Sequence, residues 1–185
     1  DGLRKAMRTT SDALTEGIGT SAMTMDTLLD EQKLQLTLAA MEGATNAAEL
    51  REELELAGGI FHTTSDTEII AYTVIQERIL CDSIEEAISK AVRKLDGAYS
   101  LILMSATKLI AARDKYGMRP LCFGKAPDGA YIAASESCAL AAVGAEFIRD
   151  VEPGEIVVFD ETGVHSMRSD CSHFRRSFCA FEYSY

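Results

Sequence analysis

The sequence predicts a layered α+β sandwich. Three observations carry that expectation: two helices with matched start signals stand in tandem between residues 65 and 97, the periodicity then switches to short strand-like runs, and the turns between those runs fall at intervals that favour antiparallel hairpins. The strand runs are nearly apolar throughout. A sheet needs that when it is covered on both faces.

Taken in order, the elements divide near Thr45. Residues 1–44 are small, Thr-rich and Met-rich, with few windows that hold a clear period. From Asn46 the run NAAELREELELAGG sets Leu50, Leu54 and Leu56 on an apolar stripe and stops at Gly58-Gly59, a helix with a glycine end. Gly59–Thr63 reads as a short strand. Ser65-Asp66-Thr67-Glu68 matches a capping box, Ser65 accepting from a first-turn amide and Glu68 reaching back, and a helix follows to about Gln76. Ser83-Ile84-Glu85-Glu86 repeats the device. There Ile84, Ala87, Ile88, Ala91, Val92 and Leu95 recur at helical spacing until Asp96-Gly97. Strands are predicted over 98–104, 108–112, 131–134, 155–159 and 178–183, with turns at Ser105–Thr107, Pro127–Gly129, Pro153-Gly154 and Glu161–Gly163.

With 47% apolar and 25% charged residues, 185 residues suffice for one good core and one domain. Eighteen basic against twenty-nine acidic residues give a net charge of −11, which repels phosphate backbones and argues against nucleic-acid binding. No stretch approaches the ~20 apolar residues that cross a bilayer, so a cytoplasmic protein without membrane association is expected. Five cysteines, odd in number and without a CxxC pair, point to reduced thiols. The chain opens at Asp1 rather than Met and is read as a piece of a longer one.

Five segments, in order, then narrow the reading: Ser65-Asp66-Thr67-Glu68, Gly97-Ala98-Tyr99-Ser100, Arg113–Leu121 (RDKYGMRPL), Ala134–Leu140 (ASESCAL) and Val151–Glu155 (VEPGE). Together they resemble the glutaminase domain of the amidophosphoribosyltransferase family over residues 45–185, with 1–44 divergent. The resemblance implies a four-layer αββα N-terminal-nucleophile hydrolase sandwich, here incomplete on its amino-terminal side. It implies a place in the first committed step of purine synthesis, as a glutamine amidotransferase and glycosyltransferase supplying ammonia from glutamine to phosphoribosyl pyrophosphate. A phosphoribosyltransferase domain is expected after Tyr185, along with homo-oligomeric assembly. The family's cofactors, Mg and in some members an iron–sulfur cluster, are expected mostly outside this chain, which is read as holding none.

Carried over residue by residue, the resemblance also implies losses. In the family an amino-terminal Cys attacks the side-chain amide, an Asn-Gly pair stabilises the oxyanion, and an Arg together with the Asp of Ser-Asp-Thr-Glu holds the substrate's carboxylate and amine. Asp1-Gly2 resembles a stretch downstream of that nucleophile, so the Cys has no counterpart. Gly17–Thr24 resembles the run that carries the Arg, with Ala22 at the Arg position and Met23 at a Tyr. Leu36–Thr45 lines up with the run that carries Asn-Gly, with Met41 and Glu42 in those places. Asp66 is the substrate-binding residue that remains; no catalytic residue and no metal ligand is assigned. Glutamine hydrolysis by this chain is not expected. The competing expectations are a non-catalytic binding or oligomerisation module on the same scaffold, and a chain whose amino-terminal third has been exchanged.

Other residues are read blandly. Arg113, Asp114 and Arg119 form a structural ion-pair cluster at a strand-to-loop junction, and Lys115, where the family has Pro, loosens that loop. Cys138, with His165 as a conceivable base, is read as a buried inert thiol. His62 is read as a partly buried, hydrogen-bonded histidine. Cys171, His173 and Cys179 have spacings that fit no usual zinc site, although Cys179 resembles a ligand of the iron–sulfur cluster.

Overall fold

The computed structural model describes residues 21–29, 32–41 and 45–168, with side chains from 45 to 167. Two strands that the sequence did not announce come first, β1 (Ser21–Leu29) and β2 (Gln32–Met41), paired antiparallel along their lengths. Helix α1 (Ala47–Leu56) buries Leu50 and Leu54, four residues apart on one face. Leu56 leaves that stripe and is 84% exposed, contrary to the three-leucine expectation, because it lies half a turn beyond Leu54. The helix closes where Gly58, at φ 93°, and Gly59 turn their amides back to the carbonyls of Glu55 and Leu54.

Helix α2 (Asp66–Leu80) starts at Ser65, whose hydroxyl accepts from the Thr67 N–H at 3.2 Å. Glu68 does not return to the cap. Its carboxylate accepts from the His62 N–H at 2.8 Å and from the Thr63 N–H and hydroxyl, both at 2.7 Å. That capture explains why Gly59–Thr63 is a loop and not the predicted strand, since its amides serve the buried Glu68 instead of a ladder. The helix also runs four residues past Gln76, through the exposed Ile79 and Leu80. Helix α3 (Ile84–Lys94) begins at Ser83, whose hydroxyl accepts from the Glu86 N–H, while Glu86 pairs with Lys90 at 2.9 Å. Its apolar stripe is buried as the spacing predicts, and Lys94 reaches Glu77 of α2 at 2.6 Å.

The remaining strands are β3 (Ser100–Met104), β4 (Leu109–Arg113), β5 (Cys122–Lys125), β6 (Tyr131–Ala134), β7 (Glu146–Asp150), β8 (Glu155–Asp160) and β9 (Gly163–Arg168), with α4 (Ser137–Ala142) between β6 and β7. They form a six-stranded sheet, β1-β2-β3-β4-β8-β9, and a three-stranded sheet, β6-β5-β7. Every pair with a described register is antiparallel. The predicted strand over 178–183 lies outside the described residues.

Alternation along the strands sorts the interior into layers. Leu101, Leu103, Ile110, Ala112, Ile156 and Val158 face α1–α3. Their neighbours Ile102, Leu109, Ala111, Val157 and Phe159 face the smaller sheet and meet Phe123 and Ala133. On the far side of that sheet Cys122 and Ala134 pack against Leu140 of α4. The order is helices, sheet, sheet, helix, the four-layer α+β sandwich, and a two-residue side-chain period produces it. No described helix is long and apolar enough to cross a membrane.

Candidate functional site

The hairpin register brings two of the altered positions to one end of the large sheet. Ala22 lies opposite Ala39, and β2 ends at Met41 opposite Ser100 of β3. Met41 is two residues along from Ala39, so Ala22 and Met41 stand about 8–9 Å apart in backbone terms, one strand across and two residues along. Helix α2 contacts both strands of the hairpin. Asp66 opens that helix and is half-buried, where the helix dipole favours a carboxylate. Glu42, Asp1, Gly2 and Gly17–Thr20 lie outside the described residues.

Ser100 joins this end to a second structure. It pairs with Met41 on one side and with Arg113 on the other, so Met41, Ser100 and Arg113 share one row across three strands. The Ser100 hydroxyl donates to the Pro120 carbonyl at 3.0 Å. Arg113 is 7% exposed and spends its guanidinium on carbonyls: Nε on Arg119 at 2.7 Å, Nη1 on Val151 at 2.7 Å and Nη2 on Gly117 at 2.9 Å. Asp114 is fully buried and accepts from the N–H groups of Tyr116, Met118 and Arg119 at 2.9–3.2 Å. The expected ion-pair cluster therefore acts on the backbone, one residue gathering carbonyls and the next gathering amides. Gly117, at φ +67°, completes the loop; a Cβ there would meet Pro153 Cγ at 2.7 Å. Lys115 does not loosen the loop but ties it to Asp96 at 2.7 Å.

Two further anchors carried no sequence signal beyond ordinary charge. Arg149 grips Glu155 with both terminal nitrogens, at 2.8 and 2.7 Å, and Glu155 also accepts from Ser166 and from the Glu152 N–H. Burial pushes the Glu155 carboxyl up, but these bonds outweigh it and hold it at about 2. Glu85 pairs with Lys108 across the α3–β4 boundary.

Cys138 is exposed, contrary to the buried thiol expected, because α4 is a single short helix that buries only Leu140. Its Sγ lies 3.1 Å from Glu136, whose carboxylate raises the thiol's pKa. That is the wrong direction for a nucleophile. His165 is engaged elsewhere, 2.7 Å from the Thr162 hydroxyl and 3.4 Å from Asp160 in the β8–β9 hairpin. His62 is exposed, and its backbone N–H makes the bond to Glu68. Cys171, His173 and Cys179 lie outside the described residues, among which no group of three or more His, Cys, Asp or Glu is placed to hold a metal.

Comparison with known proteins agrees with this architecture. The family described as the glutamine amidotransferase domain matches residues 20–142. Among curated proteins, the amidophosphoribosyltransferase of Bacillus subtilis is 39% identical over 150 residues, covering 81% of this chain and 31% of the relative. That of Methanocaldococcus jannaschii is 39% identical over 154 residues, covering 76% and 32%. The solved B. subtilis glutamine phosphoribosylpyrophosphate amidotransferase superposes with a TM-score of 0.80 at 36% identity, over 89% of this chain and 35% of that one. The chain thus spans about a third of the length of the relatives it matches.

Proposed function

This chain belongs to the glutamine amidotransferase domain family, and from that premise we propose that it is an amidophosphoribosyltransferase-type glutaminase domain that has kept its sandwich and does not release ammonia from glutamine. It is homologous to the amidotransferase part of enzymes of purine biosynthesis. The observation that carries the proposal is that Ala22 and Met41 stand at one end of the β1–β2 hairpin, with Glu42 next to Met41 in sequence. At those positions the family resemblance expects a guanidinium and an oxyanion hole. Alanine cannot pair with a carboxylate, and an acidic side chain beside a developing oxyanion repels it. Losing one oxyanion donor costs about 10²–10³ in rate, and a charge-assisted clamp is worth about 1.5–3 kcal/mol of binding. Asp66 alone leaves half a clamp, with an acceptor for the substrate's amine and nothing for its carboxylate.

A specific observation favours a scaffold role beside this. Leu56, Ile60, Ile79 and Leu80 are 61–84% exposed, apolar surface suited to homo-oligomeric assembly or to docking of a phosphoribosyltransferase domain. A cytoplasmic setting belongs to the same reading. The test is glutamine titration by calorimetry together with ammonia release, on the unaltered chain and on the triple variant Ala22→Arg, Met41→Asn, Glu42→Gly. The unaltered chain is expected to show neither binding nor turnover, and the variant to regain binding. Turnover of glutamine by the unaltered chain would overturn the proposal.

A further inference from the structure

Among the described residues the two sheets end in the edge strands β1, β9, β6 and β7, and all but β1 are guarded. β6 is four residues long, β7 carries a register shift and the charges Glu146, Arg149 and Asp150, and β9 carries His165 and Arg168. Shortness, bulges and charge each keep an edge from pairing with another chain. β1 has none of them. It runs nine residues in unbroken register with β2, without Pro or Lys and with Asp26 as its one charge. Among the described residues its outer edge has no partner strand.

The hairpin also overreaches its support. β2 meets β3 only over Thr37–Met41, so within the described sheet Gln32–Leu36 and the facing Met25–Leu29 pair with each other alone. They make a two-stranded arm that extends about 17 Å past the end of β3. Such a ribbon is marginal in water by itself, and this one contains Met25, Leu28, Leu29, Leu34 and Leu36.

The sequence of β1 says what completes it. Set antiparallel against a second copy of itself about Met25, every position is opposed: Ser21 by Leu29, Ala22 by Leu28, Met23 by Thr27, and Asp26 by Thr24. No like charges meet. A two-residue slip one way sets Asp26 against Asp26, and the slip the other way only loses pairs. In the full register each arm lies along the partner's Ser21–Met25, the half of β1 that sits nearest β3. Opposed positions share a sheet face, so the helix-facing side of one copy continues into that of the other.

We infer that β1 is an interaction surface for a second copy of this chain, the two copies pairing edge to edge through it, antiparallel about Met25, so that their six-stranded sheets become one. The contact is isologous and closes as a two-fold dimer. It is a different surface from Leu56, Ile60, Ile79 and Leu80 of the helix layer, and it does not rest on the loss of glutamine hydrolysis.

The experiment is sedimentation velocity on the full chain from about 1 to about 100 μM at about 0.15 M salt, where long-range repulsion between acidic copies is screened. A dimer is expected. Thr24→Asp should weaken it about tenfold, because a second carboxylate then opposes Asp26 twice across the axis, and Thr24→Lys should tighten it about threefold for the opposite reason. Glu161→Lys, an exposed position in the β8–β9 turn, and Leu80→Lys on the helix layer should each leave association within about twofold. Circular dichroism checks that each variant folds. As a second readout that needs no charge, Met25→Cys in a Cys138→Ser background, which removes an exposed thiol, should form a disulfide-linked dimer on mild oxidation, while Leu29→Cys should not. A monomer throughout the range, which is the outcome if residues 1–20 cover the edge instead, would overturn the inference. So would shifts of the same sign from Thr24→Asp and Thr24→Lys, dissociation by Leu80→Lys with Thr24→Asp silent, or equal crosslinking at positions 25 and 29.

Discussion

The Arg113–Asp114 loop and the β1–β2 hairpin lie one strand apart in the large sheet, yet they stand differently against the family pattern. In the loop, Arg113 and Asp114 serve the backbone, and the family-like residues other than Lys115 are in place. In the hairpin the strands pair in full register, and the residues at the chemistry-bearing positions differ from the family pattern. Holding a fold and performing a reaction thus rest on separate groups even where they are neighbours.

The sharpest way to break that contrast is to exchange the expected costs. Asp114→Ala leaves three N–H groups without their acceptor in a fully buried loop, and about 3–4 kcal/mol of stability should be lost, read as a fall in the urea midpoint at constant slope. Ala22→Arg should move the same midpoint by less than about 0.5 kcal/mol. Similar losses in the two variants would mean that the hairpin is as structural as the loop.

Next in size is a pH effect. The Glu155 carboxyl is held at about 2 against an ordinary 4.5, so the unfolded chain takes up the proton first. The stabilisation, about 3 kcal/mol, is present in full above roughly pH 5 and is lost as pH falls from about 4.5 towards 2. Urea midpoints measured from neutral pH downward should fall more steeply for the native chain than for Glu155→Gln, which has already lost the pairing. Parallel profiles would show that the Arg149 grip contributes nothing.

The smallest effect tests the turn of the loop itself. Gly117→Ala must hold a positive φ and press its methyl on Pro153, a cost of about 1–2 kcal/mol by thermal denaturation. A neutral outcome would show that the loop relaxes around the added methyl.

The helices were legible because their signals are local: Ser65 and Ser83 accept first-turn amides as their spacing says, and the stripe of α3 is the buried one. Strands β3, β4, β6 and β8 announced themselves as apolar runs. The strands missed are of a different kind. β1, β7 and β9 lie at sheet edges, where half-burial is weak, and β7 exposes Glu146, Phe147, Ile148 and Asp150. β5 is four residues long and interrupted by Gly124, whose backbone lies so close to Glu146 that a Cβ would meet its carbonyl at 2.4 Å. In β2 the alternation of Leu34, Leu36 and Leu38 is a period-2 signal that the expectation for residues 1–44 missed. The Gly59–Thr63 stretch misleads because a glutamate five residues on takes its amides, a tertiary effect that no window contains. At the site, Ala22 and Met41 gain meaning only beside a family pattern, since neither side chain carries chemistry of its own to recognise.

The strict alternation of β3, β4 and β8 between two different interiors also governs how the gene can change in length. Deleting or adding one codon within such a strand would present every following side chain to the wrong compartment, helix-facing residues landing between the sheets and the reverse. Viable indels should therefore collect at the hairpin tips, Ser105–Thr107, Ala126–Ala130 and Glu161-Thr162, which lets the strands drift in sequence across lineages while staying fixed in number of residues.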